Sequence, residues 1–138
     1  MRDNTYIINQ LLQDEGLRLR PYKDTVGKLT IGVGRNLDDR GISKAEAMMM
    51  LNNDIAAFIT DLDNTLPWWN NLDPARQDVL LNMCFNLGLG GLLTFKNTLF
   101  MIEQGKYAEA AEAMMKSKWA EQVGARAVRL SNIMRGTP

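Results

Sequence analysis

The chain has 138 residues, of which 46% are hydrophobic and 23% are charged, and its 16 basic and 16 acidic side chains cancel. This length predicts one domain with a substantial core, and the neutral balance argues against a nucleic-acid partner. The sequence contains no histidine and a single cysteine. Ser–His and Cys–His catalytic pairs, imidazole zinc sites and an intrachain disulfide are therefore excluded.

No stretch approaches the roughly 18 apolar residues that a membrane span requires, so no stable membrane insertion is predicted. The first 16 residues do not resemble a signal peptide, because Asn9, Gln10 and Gln13 interrupt the apolar run and no small-residue cleavage site follows. We therefore expect a protein that is made in a cytoplasm without a signal peptide.

The first predicted element is a helix over residues 4–15. Asp3 or Asn4 can cap its start, an apolar stripe recurs at helical spacing, and Gly16 is suited to end the helix at a positive φ. From residue 17 to residue 34 apolar residues alternate with polar residues or glycine, which predicts strands. A three-residue loop over 26–28 would place Asp24 directly opposite Thr30. "RNLDDRG" then reads as a polar loop.

The remainder is predicted to be helical. Ser43 and Glu46 form a capping-box pattern at the start of a long helix, about 43–64. Asp73 and Pro74 open the next helix, Gly88 ends it, and three further helical segments follow, the second of them written "KYAEAAEAMMKSKW". Because the strands are segregated from the helices, the predicted fold class is α+β.

Two acids and a hydroxyl lie close together in "DEGLRLRPYKDTVGKLTIGVGR", residues 14–35. Glu15 stands at the predicted end of the first helix, and Asp24 and Thr30 stand in the hairpin. Two carboxyls across a gap suit glycoside hydrolysis, in which one acid protonates the leaving oxygen and the other stabilises positive charge or activates water. That chemistry needs no metal and no cofactor. On spacing alone, a solvated surface is the alternative explanation.

The same stretch resembles the catalytic signature of the T4-type lysozymes, a family of phage muramidases. The matching pattern is Glu, eight residues, Asp, five residues, Thr, with the words "EGLRL", "YKDT" and "TIGVG" around it. Agreement continues in "LLNMCFNLGLGGLLTFKNTL", "AAEAMMKSKW" and "ARAVRLSNIMRG". The resemblance therefore covers nearly the whole chain, in order.

The resemblance implies a single lysozyme-like domain over residues 1–138. A small β-hairpin lobe, about 16–42, would be joined by a connecting helix, about 43–64, to a larger helical lobe. That lobe would comprise about 66–138 and the N-terminal helix 4–15, with a cleft between the lobes.

The resemblance also implies hydrolysis of the β-1,4 bond between N-acetylmuramic acid and N-acetylglucosamine in peptidoglycan, with inversion. Glu15 would be the general acid, Asp24 would position water or stabilise charge, and Thr30 would hold the water. Four further positions match substrate-contacting positions of the family or neighbours of its catalytic glutamate: Asn36, Phe85, Thr98 and Arg126.

Several residues depart from the family pattern. Arg35 stands where the archetype has a histidine, so any ion pair made there must be rebuilt. Ala113 replaces a polar substrate contact, and the loop 36–41 is shorter, which predicts a trimmed small lobe. The archetype's final helical segment has no counterpart before Pro138.

The expected role is host-cell lysis at phage release, with peptidoglycan glycan strands as the partner. The chain would act as a monomer, remain in the host cytoplasm until a separate holin-type protein permeabilises the membrane, and then reach the periplasm and cell wall. Two alternatives stay open: a peptidoglycan-binding module of a phage particle with little turnover, and a lytic transglycosylase.

Overall fold

The structure is a computed structural model, and it describes residues 1–136. The last two residues of the predicted helical lobe, 137–138, lie outside this range. Seven α-helices, one 3-10 helix and a three-stranded sheet are present among the described residues: α1 Thr5–Glu15, β1 Arg18–Lys23, β2 Leu29–Gly32, β3 Arg35–Asn36, α2 Lys44–Thr65, the 3-10 helix Pro67–Asn71, α3 Pro74–Leu93, α4 Lys96–Glu103, α5 Tyr107–Met115, α6 Lys118–Val123 and α7 Ala125–Arg135. The predicted α+β class is confirmed.

The chain divides into two compact units, Met1–Met50 and the residues from Leu51 onward. Helix α2 begins in the first unit and ends in the second. The finer division into lobes and a connecting helix stays a prediction.

In the first unit, an antiparallel sheet has the strand order β1-β2-β3. Helix α1 ends at Glu15 because Gly16 follows it with a φ of 73°, which a glycine adopts without steric cost. Pro21 lies on the edge strand β1, between Arg18 and Tyr22, where the register shifts. Edge strands and bulges are the places where a sheet tolerates proline. The predicted polar loop after the hairpin is wrong at its start, because Arg35–Asn36 forms the short strand β3.

The hairpin register differs from the prediction by two residues. Tyr22 pairs with Thr30 and Lys23 pairs with Leu29, so the turn comprises residues 25–27 and Asp24 lies opposite Lys28, to which its N–H donates at 2.9 Å. Asp24 and Thr30 are therefore diagonal and not directly opposed. They still belong to the same face of the sheet, because the side-chain period of a strand is two residues.

The second unit is a helical bundle around a continuous apolar core. Its fully buried side chains come from all of its major helices and include Leu62, Leu80, Met83, Leu92, Ile102, Met114 and Met134. Asp73 caps α3 by accepting the Arg76 N–H, as predicted. Gly88 breaks α3 with a φ of 73° and a ψ of 165°. Cys84 is buried in this core.

One predicted helix is two. "KYAEAAEAMMKSKW" divides into α5 and α6, because the Ser117 hydroxyl accepts the Ala120 N–H and caps a new helix. Among the described residues no single helix has the length and apolarity to cross a membrane. Helices α3 and α4 have the required length and apolarity only when they are taken together, and they are bent by 104° relative to each other.

Candidate active site

Glu15 is the last residue of α1, and its side chain lies against the β2–β3 turn. Gly34 in that turn has a φ of 67°, and a Cβ placed on it would come within 2.6 Å of the Glu15 Oε2 and 2.8 Å of Cδ. The turn can therefore approach the carboxyl group only because residue 34 has no side chain. Helix α1 and the sheet together hold the candidate acid at this position.

Asp24 is held by the hairpin turn. Its Oδ1 accepts the Lys28 N–H at 2.8 Å and the Val26 N–H at 3.0 Å. No described residue donates to Oδ2. One carboxylate oxygen is thus used to fix the side chain, and the other is left for a water molecule or a substrate.

Thr30 lies in the central strand β2 and is only 3% exposed. Its hydroxyl donates to the Lys28 carbonyl at 2.9 Å. The main chain of Lys28 therefore binds both candidate residues, because its N–H donates to Asp24 and its C=O accepts from Thr30. Toward a water molecule, the Thr30 oxygen can then act as an acceptor.

Asn36 extends the row of side chains that contains Thr30. Thr30 pairs with Tyr22 on one side and with Asn36 on the other, and directly paired residues project to the same face. The Asn36 amide donates to the Asp39 Oδ2 at 3.0 Å and accepts the Asp39 N–H at 2.9 Å. Asn36 is thereby tied to the loop that follows it.

Arg35 forms an ion pair with Glu46. Its Nη1 and Nη2 donate to the Glu46 Oε1 and Oε2 at 2.9 and 2.6 Å, and Nη1 also donates to the Gly41 carbonyl at 3.2 Å. Glu46 at the same time completes the predicted capping box with Ser43. The Arg35 guanidinium, together with the Ser43 N–H and hydroxyl, lowers the pKa of Glu46 to about 2.

The other candidate binding residues lie in the second unit. Phe85 is 43% exposed and makes an edge-to-face contact with Phe58 at 5.5 Å between ring centroids. It lines a groove of about 400 Å³. Thr98 is buried and lines a separate groove of about 510 Å³, whose wall also contains Ala113. The absence of a polar side chain at residue 113 leaves that part of the wall apolar.

Arg126 is bound by Asn82. Its Nε and Nη2 both donate to the Asn82 Oδ1, at 2.9 and 2.7 Å, and Nη2 also donates to the Asn82 carbonyl at 3.3 Å. The guanidinium is thus fixed at the Phe85 groove, which it helps to line. The neighbourhood of Arg126 and Glu15 that the resemblance implies stays a prediction, as do the roles of all seven site residues.

Sequence reasoning missed three supporting groups: the Lys28 main chain, Gly34 and Asn82. A signal existed for the first. Asp24 followed by "TVG" matches the tendency of aspartate to accept main-chain N–H groups within a turn. No local signal marks Gly34 or Asn82, because their partners are distant in sequence.

Comparison with known proteins agrees with the motifs. The family model described as phage lysozyme matches residues 12–134. The chain is 31% identical to probable T4-type lysozyme 1 of Dictyostelium discoideum, over 93% of this chain and 92% of that protein. It is 32% identical to an endolysin of Acyrthosiphon pisum secondary endosymbiont phage 1, over 81% of this chain and 77% of that protein. It is also 28% identical to the pre-baseplate central spike protein Gp5 of Enterobacteria phage T4, over 95% of this chain but 28% of that protein. The chain therefore belongs to the phage lysozyme family, the peptidoglycan-hydrolysing glycosidases whose motifs it carries.

Proposed function

We propose that this chain cleaves the β-1,4 bond between N-acetylmuramic acid and N-acetylglucosamine by adding water with inversion. The observation that carries the proposal is the shared use of Lys28 by Asp24 and Thr30. It fixes a carboxylate and a hydroxyl on one face of a sheet, in the unit that also holds Glu15. Preorganised polar groups of this kind reduce the reorganisation that the reaction requires.

In the proposed mechanism, Asp24 and Thr30 hold the attacking water. The Asp24 Oδ2 and the Thr30 oxygen are both acceptors, so each can take one hydrogen of the same water. The water's lone pair is then free to attack the anomeric carbon. As the new C–O bond forms, Asp24 accepts the proton that the water loses.

Glu15 is the general acid. It donates its proton to the glycosidic oxygen as the bond to the anomeric carbon breaks, which leaves a neutral hydroxyl on the departing sugar. The proton from Glu15 and the proton on Asp24 balance, and exchange with solvent restores both groups. No metal or cofactor takes part in these steps.

Glu15→Gln tests the acid, and Asp14→Asn is the matched control because Asp14 is the adjacent exposed acid of α1. General acid catalysis contributes about 10²–10⁴-fold, so Glu15→Gln should lose that factor in the release of reducing ends from purified sacculi. Asp14→Asn should retain activity. Equal activity of wild type and Glu15→Gln would remove Glu15 as the acid.

The products distinguish hydrolysis from the transglycosylase alternative. Hydrolysis leaves reducing muramic acid ends, whereas a lytic transglycosylase leaves anhydro-muramyl ends, and mass spectrometry separates the two. The anomeric proton signal recorded at once after cleavage reports inversion or retention. Anhydro products would overturn the assignment of a water-holding role to Asp24 and Thr30.

The biological role that we propose is host-cell lysis at phage release. The endolysin relative and the SAR-endolysin of Escherichia phage Mu, 29% identical over 83% of this chain, support it. We propose that a separate holin-type protein opens the membrane. Expression in a Gram-negative host should then cause lysis only after the membrane is permeabilised, and lysis by expression alone would show that the chain reaches the wall unaided.

The similarity to the central spike protein Gp5 favours a second candidate role within a phage particle. In that role the chain would bind peptidoglycan with little turnover. Co-sedimentation with sacculi without release of reducing ends would support the binding role and contradict the enzymatic one.

A further inference from the structure

We propose that Arg18 binds a carboxylate of the stem peptide carried by muramic acid. This inference rests on the proposed function. It concerns a residue that neither the motif nor the resemblance assigned to the site.

Arg18 stands on the same sheet face as the candidate water-binding residues. Its guanidinium carbon lies 4.5 Å from the centroid of the Tyr22 ring, and Tyr22 is the strand partner of Thr30. The side chains of Arg18, Tyr22 and Thr30 therefore share one face. Contact with the ring holds the guanidinium at a defined place, which reduces the rotamer entropy that binding would otherwise cost.

The strand partner of Arg18 leaves space on this face of the sheet. Arg18 pairs with Gly32 across the strands, and a Cβ placed on Gly32 would meet no atom within 4 Å. Gly32 is two residues from Thr30 along β2, about 7 Å at the rise of an extended strand. A group attached to a sugar at Thr30 could therefore reach Arg18.

The charge of Arg18 identifies the ligand class. Among the described residues no carboxylate forms an ion pair with it. The acetylated glycan backbone is neutral, and the carboxylates near it belong to the stem peptides on muramic acid. An arginine fork suits such a group, because it binds a carboxylate with two parallel hydrogen bonds.

The test combines a protein change with a substrate change. Arg18→Gln removes the charge at similar length, and amidation of the stem-peptide carboxylates removes the opposite charge while the peptides stay in place. Release of reducing ends is measured as kcat/KM for wild type and variant on untreated and amidated sacculi. Arg20→Gln is the matched control, since Arg20 is another exposed arginine of β1.

We expect Arg18→Gln and amidation each to lower kcat/KM about tenfold, and the two together to lower it no further, because each removes the same interaction. Arg20→Gln should stay within about twofold of wild type. Losses that multiply, or no loss for Arg18→Gln on untreated sacculi, would overturn the proposal. Wild type that releases no reducing ends from untreated sacculi would instead contradict the proposed function. Arg18→Gln should unfold at the same midpoint temperature as wild type. A large shift of this midpoint, together with equal losses of kcat/KM on untreated and amidated sacculi, would show a structural role.

Discussion

The carboxyl group of Glu15 occupies the space that a side chain on Gly34 would need, at the turn between β2 and β3. A Cβ on residue 34 would lie 2.6 Å from the Glu15 Oε2, closer than two such atoms can approach. The position of the candidate general acid thus depends on a residue 19 positions away along the chain.

Gly34→Ala should displace the Glu15 side chain and lower activity by at least tenfold, because small misplacements of reacting groups are costly. The positive φ at residue 34 adds about 1–2 kcal/mol of strain. Gly41→Ala is the matched control: residue 41 has a φ of 61° but open space at its Cβ. It should lose similar stability in urea unfolding and keep activity on sacculi. Equal activity losses in both variants would contradict a specific role for the Gly34–Glu15 contact.

Thr30→Val should abolish most activity while costing about 1 kcal/mol of stability. Valine has nearly the shape of threonine, but it lacks the hydroxyl that donates to the Lys28 carbonyl and that we propose to accept the water. Thr30→Ser keeps the hydroxyl and should retain substantial activity. The release of reducing ends and urea unfolding measure the two effects separately. Full activity of Thr30→Val would exclude the hydroxyl from the reaction.

The Arg35–Glu46 pair predicts a loss of stability at acid pH. The pKa of Glu46 is lowered from 4.5 to about 2, first through its hydrogen bond with Arg35 and then through Ser43. A carboxyl with a depressed pKa stabilises the folded state fully above its unfolded pKa and loses this contribution as pH falls through the folded value. Wild type should therefore lose stability between about pH 4.5 and pH 2, and Glu46→Gln should lose less over that range. Parallel melting-temperature curves of the two proteins would contradict this assignment.

Arg76 joins three helices of the second unit. Its Nε donates to the Met134 carbonyl at 2.7 Å, its Nη1 pairs with the Asp73 Oδ1 at 2.9 Å, and its guanidinium lies 3.7 Å from the Tyr107 ring centroid. Arg76→Ala should lower the free energy of unfolding by about 2–3 kcal/mol. Arg129→Ala, an exposed arginine of α7, should change it by less than about 0.5 kcal/mol. Urea unfolding of both variants measures the difference.

Cys84 should be unreactive in the folded protein. Burial, with a smaller contribution from the charge of Asp61, raises the pKa of its thiol to about 11, so the thiolate that reacts with disulfide reagents is scarce at about pH 8. A chromogenic disulfide reagent should label the thiol only after denaturant unfolds the chain. Rapid labelling of the native protein would show that the second unit opens locally around α3.

The helix boundaries show which features local sequence patterns can predict. Capping residues such as Ser43 and Asp73 marked helix starts correctly, because a cap is a contact between residues three positions apart. The division of α5 from α6 at Ser117 was missed, although serine is a good cap, because its surroundings have high helix propensity in both directions. Local preference alone did not decide between one helix and two.

In the hairpin of the candidate site, local patterns likewise predicted one feature correctly and another wrongly. The predicted loop over 26–28 placed Asp24 and Thr30 on one sheet face, and that outcome survives the two-residue error in register because the side-chain period is two. The turn itself was misplaced, because its location depends on the hydrogen bonds between Asp24, Val26 and Lys28. Those bonds compete with other turns of similar length.

Residue order alone specified the α+β class, the helix caps and the motif that assigns the family, since all of these depend on neighbours or on short periodic patterns. Packing in three dimensions decided that Gly34 makes room for Glu15, that the Lys28 main chain binds both Asp24 and Thr30, and that Arg35 pairs with Glu46. Contacts such as those of Gly34 and Glu46 join residues more than ten positions apart, and their geometry follows from the whole fold and not from any single segment.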